Sequence, residues 1–181
     1  MTDQPALLVV TGASGAGKTT LVRELEALRL PGVGCYQLDS IGVPSPEEME
    51  RRWGGPGQWQ AHATEYWVER LLRNDDGVEV AVFDGQTRPS EVRAALERLG
   101  VRHARIVLVD CGHDERNERL RGPRGQPELA CGQMDCWAAY LRGQADALGL
   151  PIVDTAGRSV GEAVAELAAH VRELAALRRG G

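Results

Sequence analysis

The sequence holds one lysine. Its 21 basic residues are otherwise arginine, a bias that reads as coding preference. The exception, Lys18, stands where an ammonium can act as a compact point charge that a guanidinium cannot replace. Positive charge is also in deficit: 21 basic residues against 26 acids leave a formal charge of -5, which argues against a broad basic face for duplex nucleic acid or acidic lipid. Local basic sites remain open. Long hydrophobic runs are missing near the start, where Ala6 to Val10 is too short for a membrane span or signal peptide and follows an acid. A cytoplasmic location is expected. The cysteines at 35, 111, 131 and 136 have neither the C-x-x-C spacing of zinc sites nor the density of a disulfide scaffold, and read as reduced, mostly packed thiols.

What is present is ordinary for one globular domain: 181 residues with 43% apolar content. A chain near this length buries roughly 70% of its unfolded surface, so a real core is available. Ala6 to Thr11 is an apolar run bounded by turn residues, which suits a strand buried on both faces. A glycine-rich turn leads to a predicted helix over 17–30, with Leu21, Leu25 and Leu28 at helical spacing and Pro31-Gly32 as the stop. Further strands are predicted at 34–38, 78–83, 104–110 and 151–154, and helices at 58–73, 90–99, 128–148 and 159–178. Ser45 and Glu48 form a capping pair for a short helix between Pro44 and Arg52, and Trp53-Gly54-Gly55-Pro56-Gly57 is a break. Trp59 and Trp67, at helical spacing, read as core. Strands separated by helices argue for a parallel three-layer α/β/α sandwich. No repeat, low-complexity segment or interdomain linker is evident, and the Gly180-Gly181 tail reads as disordered.

Residues 12 to 19, Gly12-Ala13-Ser14-Gly15-Ala16-Gly17-Lys18-Thr19, fit the phosphate-binding pattern G-x-x-x-x-G-K-[ST] and lie between a predicted strand and a predicted helix. The glycines at 12, 15 and 17 let the backbone wrap an anion while amides and the helix N-terminus, through Thr20, point at phosphate. Lys18 reaches the β and γ oxygens and Thr19 suits magnesium. Such a loop implies binding of a nucleoside triphosphate and leaves the reaction open.

Three further elements narrow the reaction. Val80 to Asp84 is an apolar strand ending in a carboxylate that can hold magnesium directly or through water. Gly85 follows where hydrolytic motor ATPases commonly place a water-activating glutamate, which tilts the reading toward transfer. The guanine-recognition motif N-K-x-D is excluded, because no second lysine exists. Asp39 ends the second predicted strand on the same sheet edge, where it can take a proton from a hydroxyl attacking the γ-phosphoryl group, or else serve as a turn or N-cap aspartate. Arginines 116, 119, 121 and 124, in a segment containing Gly122-Pro123, read either as cations converging on phosphate or as a solvated helix face partnered by Asp114, Glu115 and Glu118.

Together these residues resemble the nucleoside monophosphate kinase-like group of P-loop kinases, which includes adenylate kinase, shikimate kinase and chloramphenicol phosphotransferase. The resemblance spans nearly the whole chain in order of elements and implies the P-loop NTPase fold, with a five-stranded parallel sheet of order 2-3-1-4-5. It also implies a mobile lid and MgATP as donor. Asp84-Gly85-Gln86-Thr87-Arg88 matches the D-G-x-x-R spacing of adenylate kinases, which makes Arg88 an acceptor-side residue. Leu38-Asp39-Ser40-Ile41 looks more like chloramphenicol phosphotransferase and shikimate kinase, where an aspartate meets the acceptor hydroxyl. The resemblance further implies Arg119 on adenine, Arg124 on the transferred phosphate and Arg142 on the acceptor. Asp154 to Arg158 then forms the adenine-edge loop. Gln126-Pro127-Glu128 replaces the aspartate pair of the adenylate kinase lid, so the acceptor does not carry over from that family.

The expected protein is thus a single P-loop kinase domain over 1–181, with an acceptor region at about 41–75 and a lid at about 112–130. Its expected reaction is ATP- and magnesium-dependent transfer of the γ-phosphoryl group to a small-molecule hydroxyl, with Lys18, Asp39, Arg88 and Arg124 catalytic and Asp39, Arg88 and Arg142 binding the acceptor. The nucleotide is expected on residues 12–20, Arg119 and Arg158, and magnesium on Thr19 and Asp84. The alternatives are a nucleoside monophosphate kinase, with Arg88 on the acceptor phosphate, and a non-catalytic ATP-dependent binding protein. A monomer or homodimer without duplex nucleic acid or membrane partners is expected.

Overall fold

The computed structural model describes residues 4–180. Five parallel strands, β1 (Ala6–Thr11), β2 (Val33–Gln37), β3 (Val80–Asp84), β4 (Ala104–Asp110) and β5 (Ile152–Asp154), form one sheet of order β2-β3-β1-β4-β5. The central strand β1 is buried over all six residues, as its unbroken apolar sequence demands of a strand covered on both faces. Its register pairs Val10 with Asp84 on β3 and with Val107 on β4, so all carboxyl ends face one edge.

The period-two alternation of the strands splits the core. Leu8, Val10, Val82 and Val109 pack with α1 (Lys18–Ala27) and α7 (Val160–Gly180), whereas Leu7, Val9, Ala81 and Phe83 face α3 (Pro56–Arg73) and α4 (Pro89–Arg98). Leu108 continues that second face toward α6 (Gly132–Leu148). Two shorter helices, α2 (Pro46–Trp53) and α5 (His113–Arg121), complete the chain. Ser45 caps α2 through the amide of Glu48 at 3.2 Å, as its sequence pattern predicts. Gly180 closes α7, in contrast to the disordered tail expected there, and Gly181 lies outside the described residues.

Three local features differ from the sequence reading, each for a steric or hydrogen-bonding reason. Asp39 sits just beyond β2, in a single 3-10 turn, Leu38–Ile41. Buried Trp67 holds that turn, donating from Nε1 to the Leu38 carbonyl at 3.2 Å while its ring packs 5.4 Å from Phe83. The arginine-rich segment is helical over α5 and stops at Gly122, since Pro123 cannot supply the next amide. The predicted helix 128–148 is divided: Pro127–Leu129 forms a 3-10 turn, Cys131 is extended, and α6 begins only at Gly132. That interruption opens a wall beside the carboxyl edge of the sheet.

Candidate active site

The β1–α1 loop depends on glycine at close approaches. A Cβ on Gly12, whose φ is +155°, would lie 2.2 Å from the carbonyl oxygen of Val109. On Gly15, at φ +83°, it would lie 2.9 Å from side-chain carbons of both Arg116 and Leu120. Helix α1 then opens at Gly17 with no side-chain cap and no acid in its first turn, which leaves its N-terminus suited to an anion.

Lys18, Thr19, Asp39, Asp84 and Arg124 line one cleft of about 200 Å³, together with Ser14 and Gln86. Lys18 is only 8% exposed and donates from Nζ to the Ala13 carbonyl at 3.3 Å. Burial lowers its pKa, an effect opposed by the negative charges of Asp84 and Asp39. Asp84 is 4% exposed, and burial raises its pKa against the pull of Lys18 and a hydrogen bond from Thr19. At its floor the cleft therefore holds two charges, Lys18 and Asp84, that lose solvation, the condition under which electrostatic contacts to a ligand are strongest, while Asp39 and Arg124 are exposed at its rim.

Thr19 and Asp84 fit magnesium. They present hydrogen-bonded hard oxygens at the helix start, and magnesium commonly takes one or two protein oxygens with the remainder from phosphates and water. Among the described residues there is no cluster of three or more His, Cys, Asp or Glu side chains that would form an all-protein cage.

A second hollow, of about 170 Å³, lies beside the start of α1 between Gly17, Thr20, Leu21, Arg119, Thr155 and Arg158. Arg119 is pinned there: Nη1 donates to Thr155 Oγ1 at 2.9 Å and Nη2 to the Thr155 carbonyl at 3.1 Å, with Glu115 as its ion partner. Arg158 donates to the Asp154 carbonyl at 3.1 Å and pairs with Glu166 at 2.7 Å. The sequence-predicted phosphate, magnesium and adenine-side residues are thus continuous around one loop.

A third and larger pocket, of about 630 Å³, contains Arg88. Its guanidinium donates to Gln60 Oε1 at 2.9 Å, pairs with Glu91 at 3.3 Å and lies 5.3 Å from the Trp137 ring centre. Gln86 lines both this pocket and the Lys18 cleft, and Ser14 Oγ donates to its Oε1 at 3.0 Å. The loop carrying Gln86 is held to the end of β1 by the Thr11 hydroxyl, which donates to the Thr87 carbonyl at 2.6 Å. From the acceptor region expected at 41–75, Pro56, Gly57 and Gln60 reach the pocket; from the lid expected at 112–130, Glu128 and Leu129 do.

Arg142 is not brought to any of these sites. It projects from α6 with a half-exposed side chain and pairs with Asp110 and Asp146, each at 3.3 Å. Arg116 is buried behind Gly15 and tied to Asp135, where it supports the loop without facing the Lys18 cleft. Sequence reasoning missed Gln60, Gln86, Trp137 and Tyr140. The aromatic pair at 137 and 140, one turn apart in an alanine-containing helix, was the available signal for a binding wall.

No protein-family model matches the sequence. A taurine import ATP-binding protein, TauB of Pseudomonas savastanoi pv. phaseolicola, is 30% identical over 126 residues, covering 68% of this chain and 46% of the relative. The chain therefore spans about half the length of that curated relative. Among solved structures, the Deinococcus radiodurans tunicamycin resistance protein has a TM-score of 0.64 at 21% identity, covering 93% of this chain and 96% of its own. Shikimate kinase from Acinetobacter baumannii in complex with shikimate has a TM-score of 0.62 at 13% identity, with 94% and 95% covered. A gluconokinase from Sinorhizobium meliloti 1021 has a TM-score of 0.62 at 19% identity, with 94% of each chain covered. Sheet order, loop and neighbours agree that this chain has the fold of the P-loop kinases.

Proposed function

We propose that the protein is an ATP- and magnesium-dependent phosphotransferase that moves the γ-phosphoryl group to a hydroxyl of a small molecule. The carrying observation is that Asp39 shares a cleft with Lys18, Thr19, Asp84 and Arg124, while Gln86 joins that cleft to the Arg88 pocket. Holding a triphosphate gives a carboxylate at Asp39 no task, whereas a hydroxyl acceptor gives it one, as the group that takes the proton.

In this reading the backbone of residues 12–20 holds the triphosphate, and Arg119 and Arg158 border the base. Thr19 and Asp84 hold magnesium, which neutralises charge on the β and γ phosphates when bound. The acceptor enters from the Arg88 pocket past Gln86. Its oxygen forms a bond to the γ phosphorus as the bond to the β–γ bridging oxygen breaks, and the electron pair leaves with ADP. The hydroxyl proton passes to the Asp39 carboxylate. Lys18 and Arg124 offset charge on the moving group, and positioning supplies much of the rate.

Asp39→Asn tests this assignment. Turnover with an active acceptor falls while ATP affinity, measured by calorimetry with magnesium, stays near the parent value. Unchanged turnover would remove Asp39 from the mechanism.

A further inference from the structure

Resting on the phosphotransferase reading, we propose that the acceptor is a neutral molecule with a planar ring and a hydroxyl, bound against the Trp137–Tyr140 wall of the Arg88 pocket. Four observations carry this.

The first is size. At about 630 Å³ the pocket falls within the range that holds drug-sized ligands and exceeds what a short polyol fills. The second is the wall itself. Trp137 and Tyr140 stand one turn apart on α6 with their rings 5.4 Å apart and nearly parallel, at 20°, and Met134 and Leu129 extend the apolar surface. Tyr140 covers Trp137 from one side and Arg88 lies over the same ring, so a ligand ring packs on the exposed Tyr140 and the edges of the pair, with Trp137 as their backing.

The third observation is charge. Among the described residues lining the pocket, Arg88 is the single cation, and Glu128 lines it as well. Arg88 is already paired with Glu91, bonded to Gln60 and placed over Trp137. A phosphate-bearing acceptor would have to break that arrangement while facing a carboxylate, so a dianion is disfavoured. The fourth is the polar rim. Gln60, Gln86 and Gln133 provide amides, which donate to and accept from hydroxyls without favouring either charge. Gln86, shared with the Lys18 cleft, is placed to orient the reacting hydroxyl.

The shared chemistry has two sources, a nucleoside or an aromatic alcohol or glycoside. The test measures binding and phosphoryl transfer for adenosine, salicin, sorbitol and adenosine monophosphate. Binding is read with a saturating nonhydrolysable ATP analogue and magnesium, so that the base hollow beside Arg119 is filled. Parent protein, Trp137→Ala, Trp137→Phe and Tyr140→Ala are compared; Tyr140 is exposed, which makes its variant independent of core packing.

Adenosine or salicin is expected to bind saturably, and the better of the two identifies the source. Trp137→Ala and Tyr140→Ala raise its KM about tenfold, the scale of a lost stacking contact, with the KM for ATP unchanged and Trp137→Phe restoring most of the loss. Tighter binding of sorbitol or adenosine monophosphate, no saturable binding of either ring compound, or indifference to both aromatic truncations would overturn the proposal. The two readings fail separately: binding that depends on Trp137 without transfer sinks the phosphotransferase and retains the wall, transfer to sorbitol does the reverse, and transfer to the phosphate of adenosine monophosphate overturns both.

Discussion

The two sides of Gln86 are built on opposite principles. On the proposed donor side, the glycine-rich loop and the start of α1 meet the ends of β2 and β3 and Arg124 around a cleft of about 200 Å³, in which Lys18 and Asp84 are buried. On the acceptor side, a pocket of about 630 Å³ is assembled from α3, the segment after β3, the 127–131 turn and α6. A triphosphate presents the same charge pattern in every reaction that uses it, so backbone amides suffice. An acceptor differs between enzymes, and side chains from separate elements must be combined to recognise it.

Substitutions that affect one side alone sharpen this division. The largest effect is expected from Lys18→Met, which removes the ammonium from the transferred group and lowers kcat/KM for MgATP on the order of 10³, the scale of charged groups on a moving phosphoryl. Equilibrium binding of the acceptor should not change; if it weakens in parallel, the two sides are not separable. Asp39→Asn follows, with turnover lower by about 10² and calorimetric ATP affinity retained. Smaller again is Arg119→Ala. It should raise the Kd for ATP about tenfold by removing the cation at the base hollow, with the acceptor KM as the control.

The smallest expected effect is a pH dependence of the nucleotide-free protein. Burial holds the Asp84 carboxyl above its unfolded pKa, so its protonated form favours folding. The contribution is fully present below the unfolded value, about 3.9, and is lost as pH rises through the higher folded value. Urea unfolding across that interval should therefore show stability declining with pH, and Asp84→Asn should lack the step. Saturating MgATP should flatten it, since a cation beside Asp84 favours the ionised form; a slope that persists with ligand would place magnesium elsewhere.

Much of the fold was legible because the forces involved are local. The apolar strands, the cap at Ser45 and the helical leucines of α1 each express a short-range preference, and the order of elements follows from them. Asp39 and Asp84 were found because carboxyl ends of parallel strands share an edge, although Asp39 lies in the turn beyond β2 instead of in the strand. Arg142 illustrates the limit. Its placement on a helix before β5 was readable, and its pairing with Asp146 is local to that helix, but its pairing with Asp110 depends on how α6 is rotated against β4. The start of α6 was obscured too, because Glu128 and Leu129 have the composition of a helix and adopt one tight turn before the chain extends through Cys131.

The sequence by itself determined the anion-binding loop, the parallel sheet and the carboxylates at its edge, since each depends on neighbours within a few positions or on the two-residue period of a strand. Only the tertiary structure decided that Gln60, Gln86, Arg88 and Trp137 enclose a common pocket, and that Arg142 stands outside it. Contacts between residues tens of positions apart are set by the packing angles of whole helices on the sheet, which no local pattern encodes.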